Sequence, residues 1–71
     1  MKVIYDAETD TLDLVFREQP VAESDELREG IIVDYAQDGK LVSIEVLDAS
    51  EHVHEPETMV FQAKASKTPS L

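Results

Sequence analysis

The sequence predicts a mainly β (α+β) fold, an antiparallel β-meander of four to five strands with a short helix after the last strand. Three observations predict it. Turn-forming clusters at Asp6 to Asp10, Glu18 to Pro20, Glu29-Gly30 and Gln37-Asp38-Gly39 cut the first fifty residues into runs of strand length. Within the runs, apolar and polar residues alternate with a period of two, as in strands with one buried face. After the fifth run, Asp48-Ala49-Ser50-Glu51 has the spacing of a helix capping box.

In the first hairpin, Val3 and Tyr5 share a face with Leu12 and Leu14 only if the loop between the strands holds an even number of residues. A loop of four or six residues around Ala7-Glu8-Thr9 is predicted. In the second run Leu12, Leu14 and Phe16 take the core face, while Asp13, Val15 and Arg17 take the other. The third run, Val21 to Leu27, reads as an acidic edge strand whose charges discourage unwanted pairing, although Ser24-Asp25-Glu26-Leu27 also fits the start of a helical turn. The fourth and fifth runs, Ile31 to Tyr35 and Lys40 to Leu47, form a hairpin across the turn Ala36 to Gly39. Setting Tyr35 opposite Lys40 pairs Val33 with Val42 and Ile31 with Ile44 on one face, and Ile32 with Ser43 and Asp34 with Leu41 on the other. The helix has Asp48 as N-cap with Glu51 reaching back, and ends by Glu55 because Pro56 follows. Beyond it Met59, Val60, Phe61 and Ala63 form a small apolar cluster of undecided conformation, and Lys64 to Leu71 offers no core and reads as frayed.

All sixteen acidic residues lie at or before Glu57, and the last fourteen residues carry only Lys64 and Lys67 as charges. This composition break divides the chain into a β-meander domain with its short helix, residues 1–55, and an appendage, residues 56–71. At 71 residues, without cysteine for disulfides or thiolate zinc, the core is small and without a covalent staple. Self-association as a homodimer or higher homo-oligomer is the expected remedy. The formal charge of −10 repels phosphate backbones and anionic lipid and favours basic protein partners. Nucleic-acid and membrane partners are therefore not expected. The start of the chain lacks the charged and apolar segments of a signal peptide, and no run reaches the length of a membrane span, so a cytoplasmic location is expected.

Two stretches, Tyr5-Asp6-Ala7-Glu8-Thr9-Asp10-Thr11-Leu12 and Gly30 to Ser50, carry a resemblance. The aromatic-Asp pair before the first turn and the run from Val33-Asp34-Tyr35 to Ile44-Glu45-Val46-Leu47-Asp48-Ala49-Ser50 are its most specific parts. Over most of residues 1 to 50 the chain resembles the family numbered 2283 among prokaryotic domains of unknown function. The resemblance implies a small β-rich fold, with no activity, cofactor or catalytic residue to carry over. Members are similar in size to antitoxins, which implies a partner-binding role. Two positions depart from the family pattern, Asp13 where an aromatic is usual and Ser43 where glycine is common.

Three constellations are candidates for chemistry. Glu51-His52-Val53-His54-Glu55-Pro56-Glu57 gathers two imidazoles and three carboxylates, ligands suited to zinc, nickel or copper. On a helix, however, His52 and His54 lie roughly 200° apart and cannot share an ion. Two solvated histidines near a helix C-terminus are the plainer reading. The carboxylates Asp34, Glu45 and Asp48 offer general acid-base groups, but no nucleophile or oxyanion loop accompanies them, and Gly30 and Gly39 serve turns, so no residue takes a catalytic label. The third is a surface: Ile32 and Leu41, with Val15, interrupt the polarity of the outer face and are ringed by Asp13, Asp34 and Glu45. Its plainer reading is that the helix or the Met59 to Phe61 cluster covers it. With Met59 and Phe61 added, residues Ile32, Asp34, Leu41 and Glu45 are the expected interaction surface. These features predict a non-catalytic protein-interaction module, self-associating and binding a small basic partner in an antitoxin-like way, without a cofactor. Two alternatives stay open, a small metal-binding or hydrolytic protein using His52 and His54, and a purely structural homo-oligomer.

Overall fold

The structure, a computed structural model, describes residues 1–65. It comprises β1 (Lys2–Asp6), β2 (Thr11–Val15), β3 (Glu23–Arg28), β4 (Ile31–Tyr35), β5 (Leu41–Val46) and the one-turn helix α1 (Ala49–His52). All five strands join one antiparallel sheet, and the short helix follows the last strand, as the sequence predicts. Of the appendage foreseen as residues 56–71, and of the fraying expected from Lys64 onward, residues 66–71 lie outside the described residues.

The strands lie in the order β1-β2-β5-β4-β3. The run β3-β4-β5 is a meander, and the β1-β2 hairpin is its neighbour through β2 and β5. The chain therefore crosses once, from the end of β2 to the far edge. The crossing segment is fastened at both ends by main-chain bonds, from Phe16 N–H to Val42 O at 2.7 Å and from Ala22 N–H to Tyr35 O at 2.8 Å. The acidic β3 is an edge strand with every residue exposed, as its charge pattern suggested.

The first hairpin has the predicted even loop, Ala7 to Asp10, and the predicted register, with Val3 opposite Leu14 and Tyr5 opposite Leu12. The β4-β5 register corrects the expected one by two residues. Val33 faces Ile44 rather than Val42, Ile31 faces Val46 rather than Ile44, Ile32 faces Glu45 rather than Ser43, Asp34 faces Ser43 rather than Leu41, and Tyr35 faces Leu41 rather than Lys40. Two features each contribute one residue of the difference. The loop is shorter than expected: Ala36 and Lys40 close it, with Ala36 N–H donating to Lys40 O at 2.8 Å and Gly39 in the left-handed region at φ 84°. That loop alone would put the apolar residues of the two strands on opposite faces. The register shift between Asp34 and Tyr35, where β5 gains a residue, restores the phase.

The resulting rows define the two faces. On the inner face one row runs Val3, Leu14, Ile44, Val33, and the next runs Tyr5, Leu12, Val46, Ile31. Leu12, Val46 and the fully buried Ala49 of α1 form the core cluster, with Val3, Tyr5, Leu14, Ile44 and Val53 packed around it. The single turn of α1 is too short to stand alone.

The expected capping box is not formed. Asp48 adopts a left-handed conformation at φ 50° and makes no side-chain cap bond. The cap comes from Asp10 in the first hairpin loop, itself left-handed at φ 56°. Ala49 N–H donates to Asp10 O at 2.8 Å, Ser50 N–H donates to Asp10 Oδ1 at 3.1 Å, and Ser50 Oγ donates to Asp10 Oδ2 at 2.7 Å. Tyr5 completes the network, its hydroxyl donating to Asp10 Oδ1 at 2.7 Å. The carboxylate from the loop thus meets the unpaired N–H groups of the helix start, where a negative charge is favoured. The hydroxyls of Ser50 and Tyr5 hold the Asp10 carboxyl below its ordinary value against the opposing pull of burial. The bond to Asp10, with burial and the neighbouring acids, pushes the Tyr5 phenol up to about 12.

Candidate functional site

The outer face carries a cluster of polar groups. One row across the sheet reads Ile4, Asp13, Glu45, Ile32, Glu26, and its neighbour reads Lys2, Val15, Ser43, Asp34, Ser24. Strand alternation brings Asp13, Glu45 and Asp34 onto this side from β2, β5 and β4. Asp13 and Glu45 are directly opposed across β2 and β5, and Asp34 is a diagonal neighbour of Glu45 on β4.

Asp34 is 2% exposed, although it stands on the outer face. Its carboxylate is held by two hydroxyls, Ser24 Oγ donating to Oδ1 at 2.6 Å and Ser43 Oγ donating to Oδ2 at 2.7 Å. Burial pushes the Asp34 carboxyl up, but hydrogen bonds from Glu45, Ser24 and Ser43 outweigh it and hold the group below its ordinary value. Glu45 moves the other way. Its hydrogen bond to Asp34, then burial, then the charges of Asp34 and Asp13 push it from 4.5 up to about 7. The shift favours the protonated form of Glu45 beside the ionised form of Asp34. Oδ1 of Asp13 is buried and has no hydrogen-bond partner.

The chemistry available here is proton storage and hydrogen bonding. A carboxyl titrating near 7 is suited to general acid-base work in the abstract. The two serines of the cluster, Ser24 and Ser43, donate to Asp34 rather than to Glu45. Ser43 and Asp13, both singled out in the sequence, fall within this cluster.

The other candidate residues lie elsewhere. Ile32 shares the Glu45 row and is half-buried, and Leu41 stands opposite Tyr35 beyond the β5 irregularity. Met59 and Phe61, both largely exposed, line a groove with Met1 and Val3 rather than with Ile32 and Leu41. Helix α1 covers Leu12 and Val46 on the inner face. Asp48 lines a separate groove with Arg28, Glu29, Gly30, Glu51 and His52, so the third acid beside Asp34 and Glu45 is Asp13. His52 and His54 part company as their spacing requires. His52 lies beside Gly30, while His54 lines a groove with Val3, Leu12 and Pro56 and pairs with exposed Glu55 at 3.1 Å. No group of three or more side chains able to hold a metal ion occurs among the described residues. Among them, too, no helix is long and apolar enough to cross a membrane.

Spacing rules carry no signal for Ser24 as a ligand of Asp34, because the pairing of β3 with β4 is what brings them together. Comparison with known proteins adds no activity. No curated protein and no solved structure matches the chain. Residues 2–50 match the model of a family described as a protein of unknown function, DUF2283. That span holds all five strands, the carboxylate cluster and both ends of the Asp10 to Ser50 network, and the chain belongs to this family of unknown function.

Proposed function

We propose that this protein is a non-catalytic interaction module that self-associates through its sheet and receives a basic protein segment on its carboxylate-bearing face. The observation that carries the reading is incomplete burial. The chain exposes 5707 Å², whereas a folded monomer of its mass is expected to expose about 4,400 Å². The sheet is one layer, and among the described residues no side chain larger than alanine falls below 2% exposure. Ile4, Leu27, Met59, Val60 and Phe61 are exposed, and Leu14, Ile32 and Ile44 are only half-buried. Apolar surface of this extent on a small domain supports a protein contact. The acidic rim of the outer face supports a basic partner.

Light scattering across a concentration series tests the first half. A mass of two or more chains at micromolar concentration is expected, and a single-chain mass at several hundred micromolar would refute self-association. Capture from nuclease-treated lysate at low and moderate salt tests the second half. A stoichiometric basic protein released by salt and lost in Glu45→Lys is expected. Recovery of the homo-oligomer alone would favour the purely structural reading.

A further inference from the structure

The β2-β5 seam is the junction between the β1-β2 hairpin and the β3-β4-β5 meander. Its opposed side chains on the outer face are two acids, Asp13 and Glu45, with a third, Asp34, on the next strand. Like charges directly opposed across a strand pair are destabilising. Among the described residues no cation bridges them. On β1 the residue opposite Asp13 is Ile4, and the flanking residues on that face are Asp6 and Lys2, whose amine bridges Glu18 at 3.1 Å. On β4 the residue opposite Glu45 is Ile32, and on β3 the facing groups are Glu26 and Ser24. The buried Oδ1 of Asp13 has no donor from any of these elements.

We propose that the β2-β5 seam is a proton-held joint: a proton on Glu45, directly opposite Asp13 and diagonal to Asp34, keeps the β2-β5 ladder closed, and its loss loosens that ladder ahead of the rest of the sheet. The other ties of the hairpin are independent of this proton. They are the core cluster of Leu12, Val46 and Ala49, the Asp10 to Ser50 bonds at one end and the Phe16 to Val42 bond at the other. Loosening is therefore confined to the middle of the seam, between ties that persist at both ends. The sign follows from Glu45, which is pushed from 4.5 to about 7 in the folded chain. A carboxyl with a raised value binds its proton more tightly when folded. Its contribution is complete below 4.5, declines as the pH rises toward 7, and is gone above it.

Amide hydrogen exchange followed by NMR at pH 5 and pH 8 tests the joint, with rates converted to protection factors so that base catalysis of exchange cancels. Protection of the β2 amides is expected to fall by about tenfold relative to the β4 amides, since solvent screening leaves only part of the full shift. Glu45→Gln, which fixes the protonated shape, should keep its protection at pH 8. Asp13→Asn, which removes the opposed charge by another route, should do the same. Equal protection at both pH values, equal loss in all strands, or the same loss in Glu45→Gln would each overturn the proposal.

Discussion

Replacing Asp34 with alanine tests whether a buried carboxylate on the solvent side of a sheet acts as a structural tie. Asp34 accepts two short bonds, from Ser24 at 2.6 Å and from Ser43 at 2.7 Å. Hydrogen bonds to charged groups contribute about 1.5–3 kcal/mol each, and a hydroxyl left unpaired in a buried site costs about 1–3 kcal/mol. Ser43, at 8% exposure, has no easy route to water, whereas the exposed Ser24 does. Two terms oppose the loss, namely release of the Asp34 desolvation cost and, where Glu45 is ionised, relief of its repulsion with Asp34. The net cost of Asp34→Ala is therefore about 2–3 kcal/mol, a large share of the roughly 4–10 kcal/mol expected for a domain of this length. Asp34→Asn keeps one acceptor and turns an amide donor toward the other serine, and should cost about 1 kcal/mol. Urea titration at pH 7 followed by the far-UV circular dichroism of the sheet measures both. With a slope of about 1 kcal/mol per molar urea, the Ala midpoint should fall by about 2 M. An Ala midpoint within about 0.5 M of the parent, or an Asn variant as damaged as Ala, would refute the tie.

Leu12→Ala should destabilise by about 2–3 kcal/mol, the low end for such truncations, because its neighbours Leu14 and Ile44 are already half-exposed and little cavity is left. Thermal unfolding of that variant beside Ile4→Ala, which should stay within about 0.5 kcal/mol in the monomer, checks the assignment of inner and outer faces. Gly30→Ala and Gly39→Ala both force an L-residue to φ 84° at a cost of about 1–2 kcal/mol. Gly30→Ala should be the worse in urea titration, because its methyl would meet Leu47 O at 3.3 Å whereas that of Gly39 meets nothing within 4 Å. Asp10→Asn should lower the melting temperature at pH 7 by loosening α1 from the hairpin loop. The Asp10 carboxyl lies below its ordinary 3.8, so its contribution is present above that value and lost as the pH falls through the folded one. The gap between parent and variant melting curves should therefore close in acid.

Local pattern carried the strands and their faces. Period-two alternation placed Val3, Tyr5, Leu12, Leu14, Val33, Ile44 and Val46 on one side, and an even first loop followed from burial alone. The β4-β5 register escaped the same reasoning because two errors of one residue each, in loop length and in the β5 irregularity, preserve parity together. Alternation reports which face a residue takes, and a shift of two leaves the faces of Ile31 to Asp34 and of Ser43 to Val46 unchanged. Leu41, beyond the irregularity, is shifted by one and pairs with Tyr35 instead of Asp34. The helix cap escaped for another reason. Asp48 has the right spacing to Glu51, but its left-handed backbone turns its side chain away, and the chain supplies a carboxylate from 40 residues upstream instead. No window along the sequence contains both partners.

The same distinction between local and distant determinants explains the outer face. Alternation alone put Asp34 and Glu45 on one side of the sheet and marked Asp13 as an acid on that side. It could not pair Asp13 with Glu45, because that pairing depends on β2 choosing β5 over β3 as its neighbour. Strand order follows from the crossover, which carries the exposed acidic β3 to the far edge and leaves the apolar β5 at the centre. Had β3 stayed beside β2, its charged residues would have occupied the middle of the inner face, where Ile44 and Val46 now stand. Burial thus selects the order, the order brings Asp13 against Glu45, and the acids become a coupled cluster because the core excludes β3 from the centre. The histidines and the Met59 and Phe61 pair take no part in this chain of causes. They follow Ser50, the last residue tied to Asp10 and the last that the family match includes.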